Sequence, residues 1–332
     1  MNTFGRIFRI SVFGESHGQA IGVSIDGVPP GIKLSTDDFL PDLSRRKAGA
    51  MGTTPRVEED TPEIVSGWFN NFTTGAPLTL LFRNTNTQSG DYGNIAKIPR
   101  PGHADFAAHK RFGGFNDYRG GGHFSGRLTL TLVAAGVVAK KIFGKVNISA
   151  KLIEAGGSAD IFRAIDQALQ QGDSIGGLVE CRAINIPLGL GEPFFDSVES
   201  TISHLAFTIP AIKGIEFGSG FGAASMKGSE HNDPILDETG RTATNNAGGI
   251  TGGLTNGNEL VFRVAVKPTS SISIKQKSFS IESGKVEELV VKGRHDACIA
   301  LRVPVVVEAI TAIALADLMM VASGINSVNC QS

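Results

Sequence analysis

The sequence predicts an α+β fold, and two features of its patterning carry that expectation. Its 42 glycines are clustered rather than spread, at positions 113–114, 120–122, 156–157, 176–177, 218–222 and 248–253. Those clusters cut the chain into short apolar segments, a pattern suited to mixed helices and strands and not to a helical bundle. No fixed-period repeat, low-complexity tract or Pro/Ser-rich linker divides the chain, so residues 1–332 are read as one domain.

Residues 7–13 and 21–25, rich in β-branched and aromatic side chains, are read as strands flanking the loop GESHG; residues 78–82, 178–184 and 259–266 are read as three more. Helices are expected over 36–45, 126–143, 161–171, 197–207 and 305–322. Ser35-Thr36 opens the first and Asp196-Ser197 the fourth, with side chains suited to capping a first turn. The run 303–322 is the most hydrophobic of the chain, yet Pro304, Glu308 and Asp317 interrupt it. A bilayer span needs about 20 nearly uncharged residues, so this segment is read as a core helix.

Hydrophobic residues make up 41% of the chain and charged ones 19%, enough apolar content for a sizeable core. Thirty-one basic against 32 acidic side chains leave a net charge of −1, so no bulk field draws nucleic acid or an anionic membrane. Anion binding must therefore be local. Cys181, Cys298 and Cys330 are odd in number and widely spaced, which argues against a disulfide framework or thiolate zinc site and for a reducing cytoplasm. The N-terminal stretch carries Arg6 and Arg9 and no small-residue cleavage site, so no signal peptide is expected.

Three histidine-bearing stretches carry the chemistry: GESHG at 14–18, RPGHADF at 100–106 and GRHD at 293–296. They set imidazoles beside carboxylates, glycines and arginines in expected loops, which suits anion handling with proton transfer near neutral pH. A single loop histidine is more often structural. Here His103 repeats the setting of His17, with a glycine before it, Asp105 after it and Arg100 three residues upstream, which suggests two proton-transfer roles. The segment YRGGGHFSGR at 118–127 runs three glycines into a predicted helix start, exposing N–H groups to an anion, and Arg119 and Arg127 add charge. Alone, it could also be a tight turn with solvated arginines, the less favoured of the two readings. Arg45-Arg46-Lys47, NNAGGITGG at 245–253 and the hydroxyl-rich KPTSSI at 267–272 are unspecific individually. No GxxxxGK[ST] sequence occurs, and no GxGxxG follows a first strand, so the common nucleotide folds are not expected.

In this order, the motifs resemble those of chorismate synthases. The likeness runs from FGRIFRISVFGESHG through DGVPPGI, RPGHADF, DYRGGG, VAAG, KGIEFGSGF, NNAGGITGG and KPTSSI to GRHDACIALRVPVVVEA, nearly the whole chain. The resemblance implies an α+β core of helices sandwiched by antiparallel sheets and a homotetramer. It implies a lyase of the shikimate pathway, in aromatic amino acid biosynthesis, that converts 5-enolpyruvylshikimate 3-phosphate to chorismate by anti-1,4-elimination of phosphate and a C6 proton. That flavoprotein reaction needs reduced FMN (FMNH2), without net redox change. In the family's mechanism the flavin passes electron density transiently to substrate, phosphate leaves C3, and the C6 proton departs through flavin N5.

Residue by residue, the likeness makes His17 the acid that protonates reduced flavin, His103 the group that assists the departing phosphate and Asp296 a helper of the N5 proton relay. Arg46, Arg100, Arg127 and Arg294 match substrate-binding positions, where guanidinium forks suit a trianion. FMN contacts carry over to His123, Phe124, Ser125, Pro210, Ala211, Gly252, Lys267, Pro268, Thr269, Ser270, Ser271 and Arg294. Three positions depart from the family pattern: HFSGR stands where RSSAR is usual, Pro210 where asparagine is frequent, and an arginine common near Met51 is missing. The last leaves NADPH only as an indirect reductant, with an external flavin reductase as supplier. The chain is also shorter than usual, with shortened loops expected around 146–152 and 272–282. Two other readings remain at this point. A metalloenzyme could use His17, His103 and Asp296, but no HExxH or HxH spacing exists and nearby arginines repel a cation, so no metal is expected. A noncatalytic flavin- or phosphometabolite-binding relative is motivated by the HFSGR substitution.

Overall fold

A computed structural model describes residues 2–47, 52–53, 60–85, 93–291 and 296–329. Two antiparallel sheets enclose a pair of helices. The first sheet uses strands β1 (Thr3–Phe4), β2 (Arg9–Gly14), β3 (Ala20–Asp26), β4 (Glu63–Ser66) and β5 (Leu78–Arg83), in the order β1-β2-β3-β5-β4. The second uses β6 (Asn147–Ala155), β7 (Gly177–Ile184), β8 (Ile212–Phe217) and β9 (Leu260–Val266), in the order β8-β9-β7-β6. Every neighbouring pair in both sheets is antiparallel. The expected helices form as α1 (Leu40–Arg46), α3 (Thr129–Ile142), α4 (Ile161–Gln171), α5 (Val198–Ala206) and α6 (Val303–Asn329), and α2 (Asp105–Arg111) begins inside the RPGHADF motif.

The predicted capping residues act as read. Ser35 forms a capping box with Asp38, and Ser197 accepts from Ser200 N–H. Two expectations change. The region around 146–152 falls mostly in strand β6, and part of 272–282 forms a hairpin of Gln276–Phe279 with Val286–Leu289, rather than shortened loops. Strand β6 went unread because its polar residues, Lys151 and Glu154 among them, dilute the apolar signal on a strand that pairs on one side only.

Helix α3 packs on the first sheet, α6 on β6 and β7, and the two helices on each other. Their contact is close because Gly136 of α3 has no side chain: a Cβ there would lie 2.6 Å from Ala309 Cα. Helix α6 is apolar and long enough to cross a bilayer, but 83% of that stretch is buried within the fold, so it serves as the core helix the sequence predicted. Its two carboxylates are buried and partnered. Glu308 takes a two-pronged contact from Arg45 at 2.7 Å and accepts from Ala150 N–H at 2.8 Å, while Asp317 accepts from the N–H groups of Arg6, Ile7 and Phe8. Replacing Gly136 with valine should overfill this contact and destabilise the protein by about 1–3 kcal/mol or more. Urea denaturation giving an unchanged midpoint would show that the helices can part there without cost.

Candidate active site

A cavity of about 780 Å³ opens between the N-terminal strands, the first turns of α3 and α6, and the segment after β9. That size suits a small organic ligand. Its walls gather side chains that are far apart in sequence: Arg46, Arg100, Arg127, His103 and Asp296, with Asp60 and Arg302.

The guanidiniums of Arg46, Arg100 and Arg127 are buried and held by named partners. Arg46 donates from Nε to Thr129 Oγ1 at 3.0 Å and from Nη2 to Gly126 O at 3.0 Å. Arg127 meets Asp60 Oδ1 at 2.6 Å through Nη1, and Arg46 Nη1 lies 3.6 Å from the other oxygen of the same carboxylate. Arg100 grips Asp105 through Nε at 2.8 Å and donates from Nη1 to Ser271 Oγ at 3.1 Å. Asp296 pairs with Arg302. Arg294 lies outside the described residues, as do the rest of GRH at 293–295 and Met51.

The histidines differ in setting. His103 Nδ1 is 2.5 Å from Asp105 Oδ1, so the carboxylate orients the ring and claims its Nδ1–H, while Nε2 lies 3.2 Å from Arg100 Nη2, which sets the ring against the guanidinium. Burial works to raise the Asp105 carboxyl, but hydrogen bonds from Arg100 and His103 outweigh it and hold the group well below the usual carboxylate range. His17 is buried and not on the cavity wall; Ser16 is, and its Oγ sits 3.2 Å from His17 Nδ1. A proton can therefore pass between His17 and the cavity by way of Ser16.

The glycine loop explains why both rings fit. Gly120 and Gly121 have φ of 58° and 83°, left-handed values that favour glycine. A Cβ on Gly120 would fall 2.3 Å from His17 Cε1, and one on Gly121 3.3 Å from His103 Cε1. The loop thus runs between the two imidazoles.

Of the expected FMN contacts, His123, Phe124, Ser125, Pro210, Ala211, Lys267, Thr269, Ser270 and Ser271 line the cavity, whereas Gly252 and Pro268 do not. Gly252 sits in the turn of the hairpin Ile250–Thr251 with Leu254–Thr255. The donor set fits an amphipathic anion such as FMN: hydroxyls and an ammonium at 267–271 line the same cavity as the apolar Ile10, Val12, Leu132 and Val306. Lys267 is pushed down by burial and by Lys213, a like charge whose repulsion a bound anion would relieve. Lys267 Nζ also donates to Ser270 Oγ at 2.8 Å, which in turn donates to Gly102 O at 2.7 Å, tying KPTSSI to the RPGH loop.

A family model described as chorismate synthase matches residues 8–320. The chain belongs to the chorismate synthase family. It is 64% identical to the chorismate synthase of Chitinophaga pinensis over 99% of both chains, and 45% identical to that of Dehalococcoides mccartyi over 96% of both. A solved structure described as a crystal structure of chorismate synthase superposes with a TM-score of 0.72 at 27% identity, covering 96% of this chain and 93% of the other. The sandwich of helices between antiparallel sheets expected from the sequence is the fold found.

Asp60, Ser16 as the link from His17, Asn84 beside Arg127, and Arg302 do not stand out in the sequence as site residues. Their only local signals were an acidic residue closing the run 58–60 and polar residues at loop or strand ends. Two expected outcomes follow from the geometry. Gly120→Ala should displace His17 and lower turnover on the order of tenfold or more, since misplacing a reacting group by about 1 Å can cost a hundredfold; a wild-type rate would show the loop yields freely. Asp105, held below its ordinary value, should contribute stability that is complete above about pH 5 and lost as pH falls below about 4. Urea titrations of wild type and Asp105→Asn should converge as pH drops through that window, and parallel curves would remove Asp105 from the pH dependence.

Proposed function

We propose that the chain carries out an anti-1,4-elimination on 5-enolpyruvylshikimate 3-phosphate inside the cavity of about 780 Å³, acting as one domain. The observation that carries the reading is the meeting of Arg46, Arg100 and Arg127 in one cavity, together with the His103–Asp105 pair and the Ser16–His17 pair. Buried guanidinium forks discriminate for phosphate and carboxylate oxygens, which the substrate supplies threefold.

Reduced FMN, when bound, supplies the transient electron density that lets the bond to phosphate break without net redox change. The chain's own residues bind, orient and move protons. Lys267, Thr269, Ser270 and Ser271, with His123, Phe124, Ser125, Pro210 and Ala211, hold the cofactor. Pro268 sets the backbone between two of them and Arg294 is assigned to both ligands, whereas Gly252, in its hairpin turn, is given no part in this cavity. Arg46, Arg100 and Arg127 bind the substrate anions and exclude water from them. His103, oriented by Asp105, gives a proton to the departing phosphate. His17 delivers its proton to the cavity through Ser16 Oγ. Asp296, steadied by Arg302, accepts a proton at its carboxylate.

NADPH enters only as an indirect reductant through an external flavin reductase. The working unit is a homotetramer, a reading supported by large exposed apolar side chains such as Phe194 and Phe195, each 91% exposed, which a neighbouring copy would cover. Buried free thiols at Cys181 and Cys298 suit a reducing cytoplasm.

Chorismate should form anaerobically from substrate with dithionite-reduced FMN, and not with NADPH and oxidised FMN alone. Robust aerobic turnover with NADPH and no added reductase would contradict this. His17→Ala and His103→Ala should each lower the rate on the order of tenfold to a thousandfold while FMN binding, read by flavin fluorescence, stays largely intact. Wild-type turnover in either variant would return that histidine to a structural role. FMN binding without turnover in the wild-type protein would instead favour the noncatalytic reading.

A further inference from the structure

Asn84 follows strand β5 and joins two parts of the site. Its Nδ2 donates to Glu15 O at 3.0 Å and to Gly18 O at 2.9 Å, and its Oδ1 accepts from Arg127 Nε at 2.9 Å. Its own N–H donates to Gln19 O at 3.1 Å. The amide fits only this way round. Turned over, it would aim donors at a guanidinium that can only donate, and an oxygen at two carbonyls.

Glu15 and Gly18 are the ends of a four-residue turn closed by Gly18 N–H on Glu15 O at 3.1 Å, and its central residues are Ser16 and His17. One side chain therefore grips both ends of the turn that carries the buried imidazole. The same side chain holds the Nε edge of Arg127, whose Nη1 is fixed by Asp60 at 2.6 Å. Two edges held in this way set the plane of the fork.

We propose that Asn84 is a positioning residue for the reaction, fixing the His17 turn and the Arg127 fork in one register so that the flavin-directed proton donor and the substrate-binding group keep a fixed relation in the same cavity. This rests on the roles given above to His17 and Arg127. Asn84 does not line the cavity, so it acts through both and touches neither substrate nor cofactor.

Two substitutions separate its two hands. Asn84→Asp keeps an acceptor for Arg127 but sets lone pairs against the carbonyls of Glu15 and Gly18. Asn84→Leu, of similar size, removes both contacts. With reduced FMN under anaerobic conditions, Asn84→Asp should lower kcat on the order of tenfold to a hundredfold with KM within about threefold of wild type, whereas Asn84→Leu should also raise KM. In a His17→Ala background, Asn84→Asp should cost less than about threefold more, because the group it positions is gone. Side-chain NMR of the histidines reads the same coupling without turnover: Asn84→Asp should move the His17 ring resonances and leave those of His103 in place. The proposal is overturned by wild-type kcat in both single variants, by a full multiplicative loss on top of His17→Ala, or by unmoved His17 resonances in a variant that melts normally. An inactive wild-type protein would refute the assigned reaction, while the NMR arm would still decide whether Asn84 holds the His17 turn.

Discussion

The site rests on one electrostatic constraint: a guanidinium taken out of water must meet an opposite charge or a full set of acceptors. Arg46, Arg100 and Arg127 are each no more than 9% exposed, and aspartates answer them. Asp60 serves two, at 2.6 Å and 3.6 Å, and Asp105 serves the third at 2.8 Å. Asp60 does so from a backbone φ of 52°, a left-handed value uncommon for a residue with a side chain. Cations that face the cavity are useful only if they are held ready before the substrate arrives. Carboxylates inside the wall hold them so, and a chain of net charge −1 can then present a concentrated positive face without an overall field. Guanidiniums gathered in one site repel one another. That repulsion is moderated by Asp60 and Asp105.

What was legible in the sequence was whatever local pattern encodes. Helix α4 runs over Ile161–Gln171 as read, because its apolar residues recur at helical spacing between Asp160, which caps it, and Gly172, which ends it in a left-handed conformation. Strand β8, Ile212–Phe217, was missed because Gly214 and a shifted register interrupt it at the sheet edge. Arginine and histidine announced themselves by type and setting. Their partners did not, since Asp60, Asn84 and Arg302 gain meaning only through contacts that the fold makes over long sequence separations. His17 was read as a group facing the ligand, yet the chain puts Ser16 between, a distinction carried by side-chain direction that no spacing rule predicts.

The departures at 123 and 124 look different once contacts replace motif letters. His123 Nδ1 lies 2.9 Å from Gly14 O and its Nε2 3.1 Å from Asn2 Oδ1, so the imidazole ties the glycine loop to the end of β2 and to the N-terminal segment. Phe124 packs beside Phe112 with ring centroids 6.3 Å apart at the cavity edge. Both substitutions thus hold the loop by its flanks. Neither removes the contacts that orient His103 or bring Ser16 to His17. The noncatalytic alternative rests on these two letters, and the geometry gives them a structural use that leaves the His103–Asp105 and Ser16–His17 contacts intact.

The glycine loop also makes the two histidines dependent on each other. With the backbone at 120 and 121 passing between the rings, at distances that leave no room for a side chain at Gly120, neither imidazole can shift toward the loop without pressing on the segment that borders the other. Ser16 N–H donates to Gly122 O at 3.1 Å, so the His17 turn is fastened to the same loop, while Asn84 fastens it on the opposite side. In the reading proposed above, His17 serves the flavin and His103 the departing phosphate, and two such donors need a separation that does not drift, because a displacement of about 1 Å in either is enough to lose most of its effect. A spacer of backbone, clamped by hydrogen bonds and stripped of Cβ atoms, sets that separation more rigidly than two independently packed side chains would.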